Sequence, residues 1–141
     1  MNQRFDAIIV GAGPAGCACG YSLAKAGLET LIVERGKFAG AKNMWGGAIY
    51  GPTLNQLIPN FWEEAPVERH ILRHRISLLT QDSSLSTEFF TNKFREPPYN
   101  GFSVLRAQFD RWFATKAEQA GAIVAVPLQA DDLLWNGEAV A

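Results

Sequence analysis

The chain has 141 residues, 48% hydrophobic and 19% charged, with a formal net charge of −1. That length suits one domain with its own core, and the near-neutral balance gives no electrostatic footprint for nucleic acid or an anionic membrane as a partner. Its two cysteines, Cys17 and Cys19, exclude a four-thiolate iron–sulfur cluster. Two apart on a helix they point to nearly opposite sides and cannot bridge each other, so a reduced, cytoplasmic compartment is the expectation.

The first strand is expected within a few residues of Met1, which leaves no room for a secretory leader. The stretch from Ala7 to Ala26 is too broken by Pro14 and glycines to span a bilayer. Phe5 to Val10 is a short apolar run, as expected of a parallel strand buried on both faces. Gly11 permits a tight turn, Gly13 lets the backbone approach a phosphate, and Gly16 lets the following helix pack close to the strand. Pro14 suits the first helical position, where its missing N–H costs nothing, and Ala15 completes the fingerprint. The helix is predicted to reach about Ala26 and stop at Gly27. Glu29 to Val33 gives a second strand. Glu34 then follows Gly11 at about the 20-residue offset where an acidic side chain accepts hydrogen bonds from ribose hydroxyls. A carboxylate there disfavours a 2′-phosphate, hence NADP. Strand, glycine turn, helix, strand and acidic end together predict a Rossmann unit holding a dinucleotide.

From Arg35 to Gly51 periodicity disappears, and Gly36, Gly40, Gly46 and Gly47 mark a long loop. Its members Phe38, Met44, Trp45, Ile49 and Tyr50 argue against disorder, and the Gly46-Gly47 pair suits a backbone passing close to a flat ring. Thr53 to Ile58 is predicted as a short helix ended by Pro59, and Phe61 to Pro66 as a connection. Arg69 to Thr80 contains a strand, and Leu85 to Thr91 a second, joined by a Gln81-Asp82-Ser83-Ser84 turn. His70 and His74 lie four apart, but on an extended segment with no third ligand they read as surface or paired histidines rather than a zinc site. Phe94 to Gly101 is a turn-rich linker and Phe102 to Leu105 a short strand. Arg106 to Gly121 is a helix whose apolar positions Phe109, Trp112, Phe113, Ala117 and Ala120 share a side. Ala122 to Val126 is a buried strand. Asp131 to Trp135 is expected to pair with Ala139 and Val140 across an Asn136-Gly137 turn. A chain ending at Ala141, inside that hairpin, reads as part of a longer domain.

Several stretches resemble a known family in order and content: Val10 to Gly16, Glu34-Arg35-Gly36, Gly40 to Gly47, Leu57-Ile58-Pro59, Glu64 to Arg69 and Leu105 to Phe113. They look like the N-terminal part of the FixC-type flavoproteins, related to electron-transfer-flavoprotein:quinone oxidoreductase. The Lys42-Asn43-x-x-Gly46-Gly47 and Glu64-Ala65-Pro66-x-Glu68-Arg69 stretches are the specific parts; the glycine fingerprint is shared by a wider group of FAD enzymes. The resemblance implies an α/β, Rossmann-type FAD-binding domain, three-layered on a parallel sheet, whose N-terminal part fills residues 1–141. Residues 68–96 would be inserted strands of the substrate region.

The resemblance implies FAD bound by Gly11, Gly13, Pro14, Ala15 and Gly16, with Glu34 on the adenosine ribose and Arg35 by the adenine end. Lys42 and the Gly46-Gly47 backbone would run beside the flavin, Arg106 would reach the cofactor, and Val126 would lay its backbone near the adenine. Asp110 and Trp112 read as helix packing and capping. In the complete protein, electrons would enter from electron-transfer flavoprotein subunits and leave to a quinone or ferredoxin-type acceptor. No acid, base or nucleophile is implied, and the complete protein is placed in the cytoplasm or peripherally at the membrane. A flavin-dependent hydroxylase or geranylgeranyl-reductase-like enzyme shares the fingerprint and the Arg106 helix, but the Lys42-Asn43 approach favours the FixC type. A further alternative is an inactive truncated product, since the family's later Gly-Asp segment and C-terminal region lie beyond this sequence.

Overall fold

The computed structural model describes residues 4–137 and 139–140. The chain packs as two units, one formed by Met1–Asn43 with Asp110–Ala141 and the other by Met44–Phe109.

The first unit is built on a parallel sheet of β1 (Ala7–Val10), β2 (Thr30–Val33) and β8 (Ile123–Ala125), in the order β1-β2-β8. Ile8 stands opposite Leu31, which in turn stands opposite Ile123. Between β1 and β2 runs α1 (Pro14–Lys25), so strand, helix and parallel strand form the βαβ crossover that the sequence pattern predicts. The helix ends in a Schellman arrangement: the Gly27 N–H donates to Ala24 at 2.9 Å and the Leu28 N–H to Leu23 at 3.1 Å. The second long helix, α3 (Arg106–Gln119), ends the same way. There the Gly121 N–H donates to Glu118 and the Ala122 N–H to Ala117. Ile32, Cys17, Phe113 and Ala117 are buried in the core of this unit.

One expectation for β1 is corrected. The strand is not buried on both faces: Ile9 turns toward α1, while Ile8 and Val10 are 57% and 67% exposed. The helix covers one face of a pleated strand, and alternate side chains point away from it. The cysteines divide as expected for neighbouring helix positions, Cys17 buried and Cys19 exposed.

The second unit is antiparallel. Its main sheet has the order β3 (Gly46–Tyr50), β7 (Gly101–Leu105), β4 (Val67–His70). Thus β3 replaces the end of the loop expected up to Gly51. Glycine has little intrinsic strand preference, but β7 pairs with all five residues, from Gly46 opposite Leu105 to Tyr50 opposite Gly101. α2 (Gly51–Leu57) follows directly. The expected connection at Phe61 is a short 3-10 turn, Phe61–Glu63, and Phe61 is fully buried against Phe102, ring centroids 5.6 Å apart edge to face.

The stretch Arg69 to Thr80, expected to contain a strand, holds one whole strand and the end of another. Val67–His70 pairs with β7, whereas β5 (Arg73–Leu79) pairs with β6 (Ser84–Phe90) as a hairpin. Both halves carry strand-forming residues, so only their different partners separate them. In the hairpin the Thr80 N–H donates to the Ser83 carbonyl at 2.8 Å. Arg73, Arg75 and Glu88 form salt bridges on one face. The histidines have local roles. His74 Nε2 lies 2.7 Å from Asn100 Nδ2, and the His70 ring packs edge-on against Tyr99 and Phe102.

Near the chain end, β9 (Trp135–Asn136) pairs antiparallel with β10 (Ala139–Val140), Asn136 opposite Ala139. The expected hairpin exists but is shorter, because residues 131–134 are not in the strand. The turn is also shifted by one position, since Asn136 is itself paired. Glu138 and Ala141 lie outside the described residues. Among the described residues no helix is long and apolar enough to cross a membrane.

Candidate cofactor site

In the first unit the candidate residues gather where β1 and β2 end. Gly11 leaves β1 at φ +101°, a conformation that strains any residue with a Cβ. Its N–H donates to the Val33 carbonyl at 2.7 Å, which fixes the turn against the end of β2. Gly13 is the N-cap of α1, Pro14 holds the first position, no side chain caps this end, and no acidic residue lies in the first turn. The N–H groups of Ala15 and Gly16 are therefore presented to an anion at the positive end of the helix. A Cβ on Gly13 would meet nothing within 4 Å, so open space lies beside it. Gly16 is the opposite case, since a Cβ there would collide with the Gly11 carbonyl and touch Ile9.

Glu34 ties this turn to the next loop. Its Oε2 accepts the Ala12 N–H at 3.0 Å and its Oε1 the Gly36 N–H at 2.6 Å. A carboxylate offers about four acceptor positions, so capacity remains for hydroxyls. Glu34 also lines a cleft of about 290 Å3 with Val10, Gly11, Val33, Arg35 and the segment Leu128, Gln129 and Ala130. The lining is mostly apolar, with one acidic, one basic and one amide residue, which suits a nucleoside. Val126 lies just beyond β8, half exposed and outside the cleft lining. The chain instead enters the cleft two residues later, where the Leu128 N–H donates to the Glu34 carbonyl at 2.8 Å. Leu128, Gln129 and Ala130 carry no motif. The only sequence signal for them is that they follow a parallel strand, at whose carboxyl end such folds bind ligands.

Lys42 is exposed on the loop that follows, outside the cleft lining. Cys17 donates to the Ala12 carbonyl with Sγ at 3.4 Å. Burial, reinforced by the carboxylates of Asp110, Glu34 and Glu118, pushes its thiol up to about 12. It is a packed neutral group, not a nucleophile.

In the second unit, Gly46, Gly47 and Arg106 come together. The Arg106 N–H donates to the Trp45 carbonyl at 3.2 Å. A Cβ on Gly47 would stand 3.3 Å from Arg106 Cδ, so the bare glycine leaves a path for the arginine stem. Arg106 is half-buried, at the first position of α3.

A parallel βαβ unit with a glycine turn at an uncapped helix start and an acidic residue closing the second strand defines a dinucleotide-binding protein of the Rossmann class. The chain belongs to the FAD dependent oxidoreductase family, whose model matches residues 6–134. It is 40% identical over 140 residues to Protein FixC of Azotobacter vinelandii, covering 99% of this chain and 33% of that relative. It is 42% identical over 139 residues to the protein named "Probable electron transfer flavoprotein-quinone oxidoreductase YdiS" of Escherichia coli K12, covering 99% of this chain and 32% of that one. Among solved structures, a geranylgeranyl bacteriochlorophyll reductase-like protein from Thermoplasma acidophilum matches with a TM-score of 0.78 and 25% identity. That match covers 97% of this chain and 33% of the other. The chain thus spans about a third of the length of the curated relatives it matches.

Proposed function

We propose that this chain binds FAD and forms the cofactor-anchoring part of a flavin-dependent electron-transfer oxidoreductase of the FixC type. The observation that carries the reading is the joining of glycine turn and cleft by one carboxylate, Glu34, which holds the Ala12 N–H and lines the nucleoside-sized space at the same time. The residues fit the cofactor: an uncapped helix start for the pyrophosphate, a carboxylate with spare acceptor positions for the ribose, and open space at Gly13.

In this reading the Gly11, Gly13, Pro14, Ala15 and Gly16 turn holds the pyrophosphate, Glu34 the ribose and Arg35 the adenine end. Lys42, the Gly46-Gly47 backbone and Arg106 serve the flavin end, Val126 lays its backbone near the adenine, and strands within 68–96 belong to the substrate region. FAD, when bound, supplies the one- and two-electron chemistry, while the protein binds, orients and tunes it. The complete protein takes electrons from electron-transfer flavoprotein subunits and passes them to a quinone or ferredoxin-type acceptor. The support for this is the 40–42% identity to FixC and to the quinone oxidoreductase relative.

A second reading, a geranylgeranyl-reductase-like enzyme, is favoured by the likeness to the reductase-like structure. The two separate in one experiment on the complete protein. Rapid flavin reduction by reduced electron-transfer flavoprotein, with reoxidation by a quinone analogue, supports the first; reduction by a nicotinamide coupled to saturation of an isoprenoid double bond supports the second.

A further inference from the structure

Asp110 is fully buried on α3, and its Oδ2 accepts a hydrogen bond from Asn43 Nδ2 at 2.5 Å, across 67 positions of sequence. The next residue, Arg111, lays its guanidinium over the Phe38 ring, 3.8 Å from the centroid. Phe38 and Asn43 bracket the loop after Glu34. Within it the Ala41 N–H donates to Phe38 at 3.0 Å and the Asn43 N–H to Gly40 at 2.9 Å. Its start is fixed by the Gly36 N–H on the Glu34 carboxylate. Segment 36–43 is therefore held at three places: by Glu34 at its start, by Arg111 at Phe38 and by Asp110 at its end.

This arrangement differs from ordinary helix packing. The apolar side of α3 packs through Phe113, Ala114 and Ala117. Asp110 instead spends a buried carboxylate on the amide of a half-exposed residue in a loop whose neighbours, Ala41 and Lys42, are exposed. A buried carboxylate is costly unless hydrogen-bonded, and a short charge-assisted bond is strong and directional. Two glycines, Gly36 and Gly40, would otherwise leave this stretch many conformations to lose on binding.

We propose that Asp110 and Asn43 are a positioning pair that pre-orders the loop carrying Lys42 for the part of FAD beyond its adenosine. The proposal rests on the FAD reading above and adds which residues fix the loop. Pre-ordering raises affinity by removing the entropy cost of arranging the loop at the moment of binding.

The test is a reciprocal exchange in the 141-residue chain, read by titration with FAD, titration with AMP and trypsin cleavage after Lys37 and Lys42. Asn43→Asp sets two carboxylates against each other, and adding Asp110→Asn restores one donor facing one acceptor. The single variant should weaken FAD binding by about tenfold, the scale of one charge-assisted hydrogen bond, and speed cleavage in the loop. AMP, which fills only the cleft at Glu34, should bind as in the wild type, a separation that general loss of structure would not give. The double variant should recover both FAD affinity and trypsin resistance.

Failure of the double variant to recover them overturns the proposal, as does faster cleavage with unchanged FAD affinity or an equal loss for AMP. Should Asn43→Asp not fold, Asn43→Ala gives the same three readings. If the wild-type chain binds no FAD, the FAD reading falls, and with it the role of the pair toward the cofactor. The trypsin series would then show separately whether the pair orders the loop.

Discussion

Glu34 accepts the Ala12 N–H at 3.0 Å, across 22 positions of sequence. One carboxylate thereby fixes the middle of the glycine turn from the end of the neighbouring strand. With its other oxygen on Gly36 and its place in the cleft lining, Glu34 braces the turn and, in the proposed reading, meets the ribose.

Replacing Glu34 therefore affects two properties. Glu34→Ala removes two hydrogen bonds to a charged acceptor, each worth about 1.5–3 kcal/mol. FAD affinity should fall about 10- to 100-fold, with a lower unfolding midpoint for the free chain. Glu34→Gln keeps one acceptor oxygen and should fall between wild type and Glu34→Ala. Fluorescence titration and thermal unfolding on the same preparations check both effects.

Two glycines three apart should respond in opposite ways. Gly16→Ala puts a methyl into the Gly11 carbonyl and Ile9, and should cost about 1–3 kcal/mol or more of stability as overpacking. Gly13 has φ −78° and open space beside it. Gly13→Ala should therefore change stability by less than about 1 kcal/mol, yet weaken FAD binding by filling the space a phosphate would approach. Urea unfolding and FAD titration of the pair separate packing from access.

The Cys17 thiol is raised from its ordinary value of 9.0 to about 12, burial first and the nearby carboxylates second. Its proton is held more tightly in the folded state. The stability this contributes is fully present below pH 9 and is lost as pH rises from about 9 toward 12. The unfolding midpoint should fall through that window, and Cys17→Ser should shrink the fall. At pH 8 an alkylating reagent should label exposed Cys19 and leave Cys17 until the chain unfolds.

In the second unit, Phe102 is 1% exposed and meets Phe61, His70 and Tyr99 with ring centroids 4.7–5.6 Å away. Phe102→Ala should cost about 3–5 kcal/mol. Hydrogen exchange should show the loss in β3, β4 and β7, the sheet that carries Phe102.

What was legible in the sequence follows the range of the forces involved. The β1-α1-β2 unit and both helix stops were readable because local rules set them: an apolar run, a first-turn proline and glycines closing Schellman bonds. β3 was not, because nothing in Gly46-Gly47-Ala48 favours a strand until β7 arrives from far along the chain to pair with it. The split between β4 and β5 was hidden for the same reason: Arg69 to Thr80 looks uniformly extended, and only partner choice divides it. At the site, Gly11 and Glu34 were readable from motif spacing and Arg35 from the family resemblance, and all three line the cleft. Leu128 to Ala130 carry no chemistry of their own and line it through the path of the chain after β8. Asn43 stands in the specific Lys42-Asn43-x-x-Gly46-Gly47 stretch and Asp110 reads as helix packing and capping, but their relationship exists only in three dimensions.

FAD binding is tested most directly by whether the purified 141-residue chain, mixed with FAD and passed through gel filtration, carries flavin absorbance in its own peak. Co-elution of flavin with the protein is expected, reduced by Glu34→Ala and by Gly13→Ala. Flavin emerging only with the free small molecules, from a chain that is folded by circular dichroism, would contradict it.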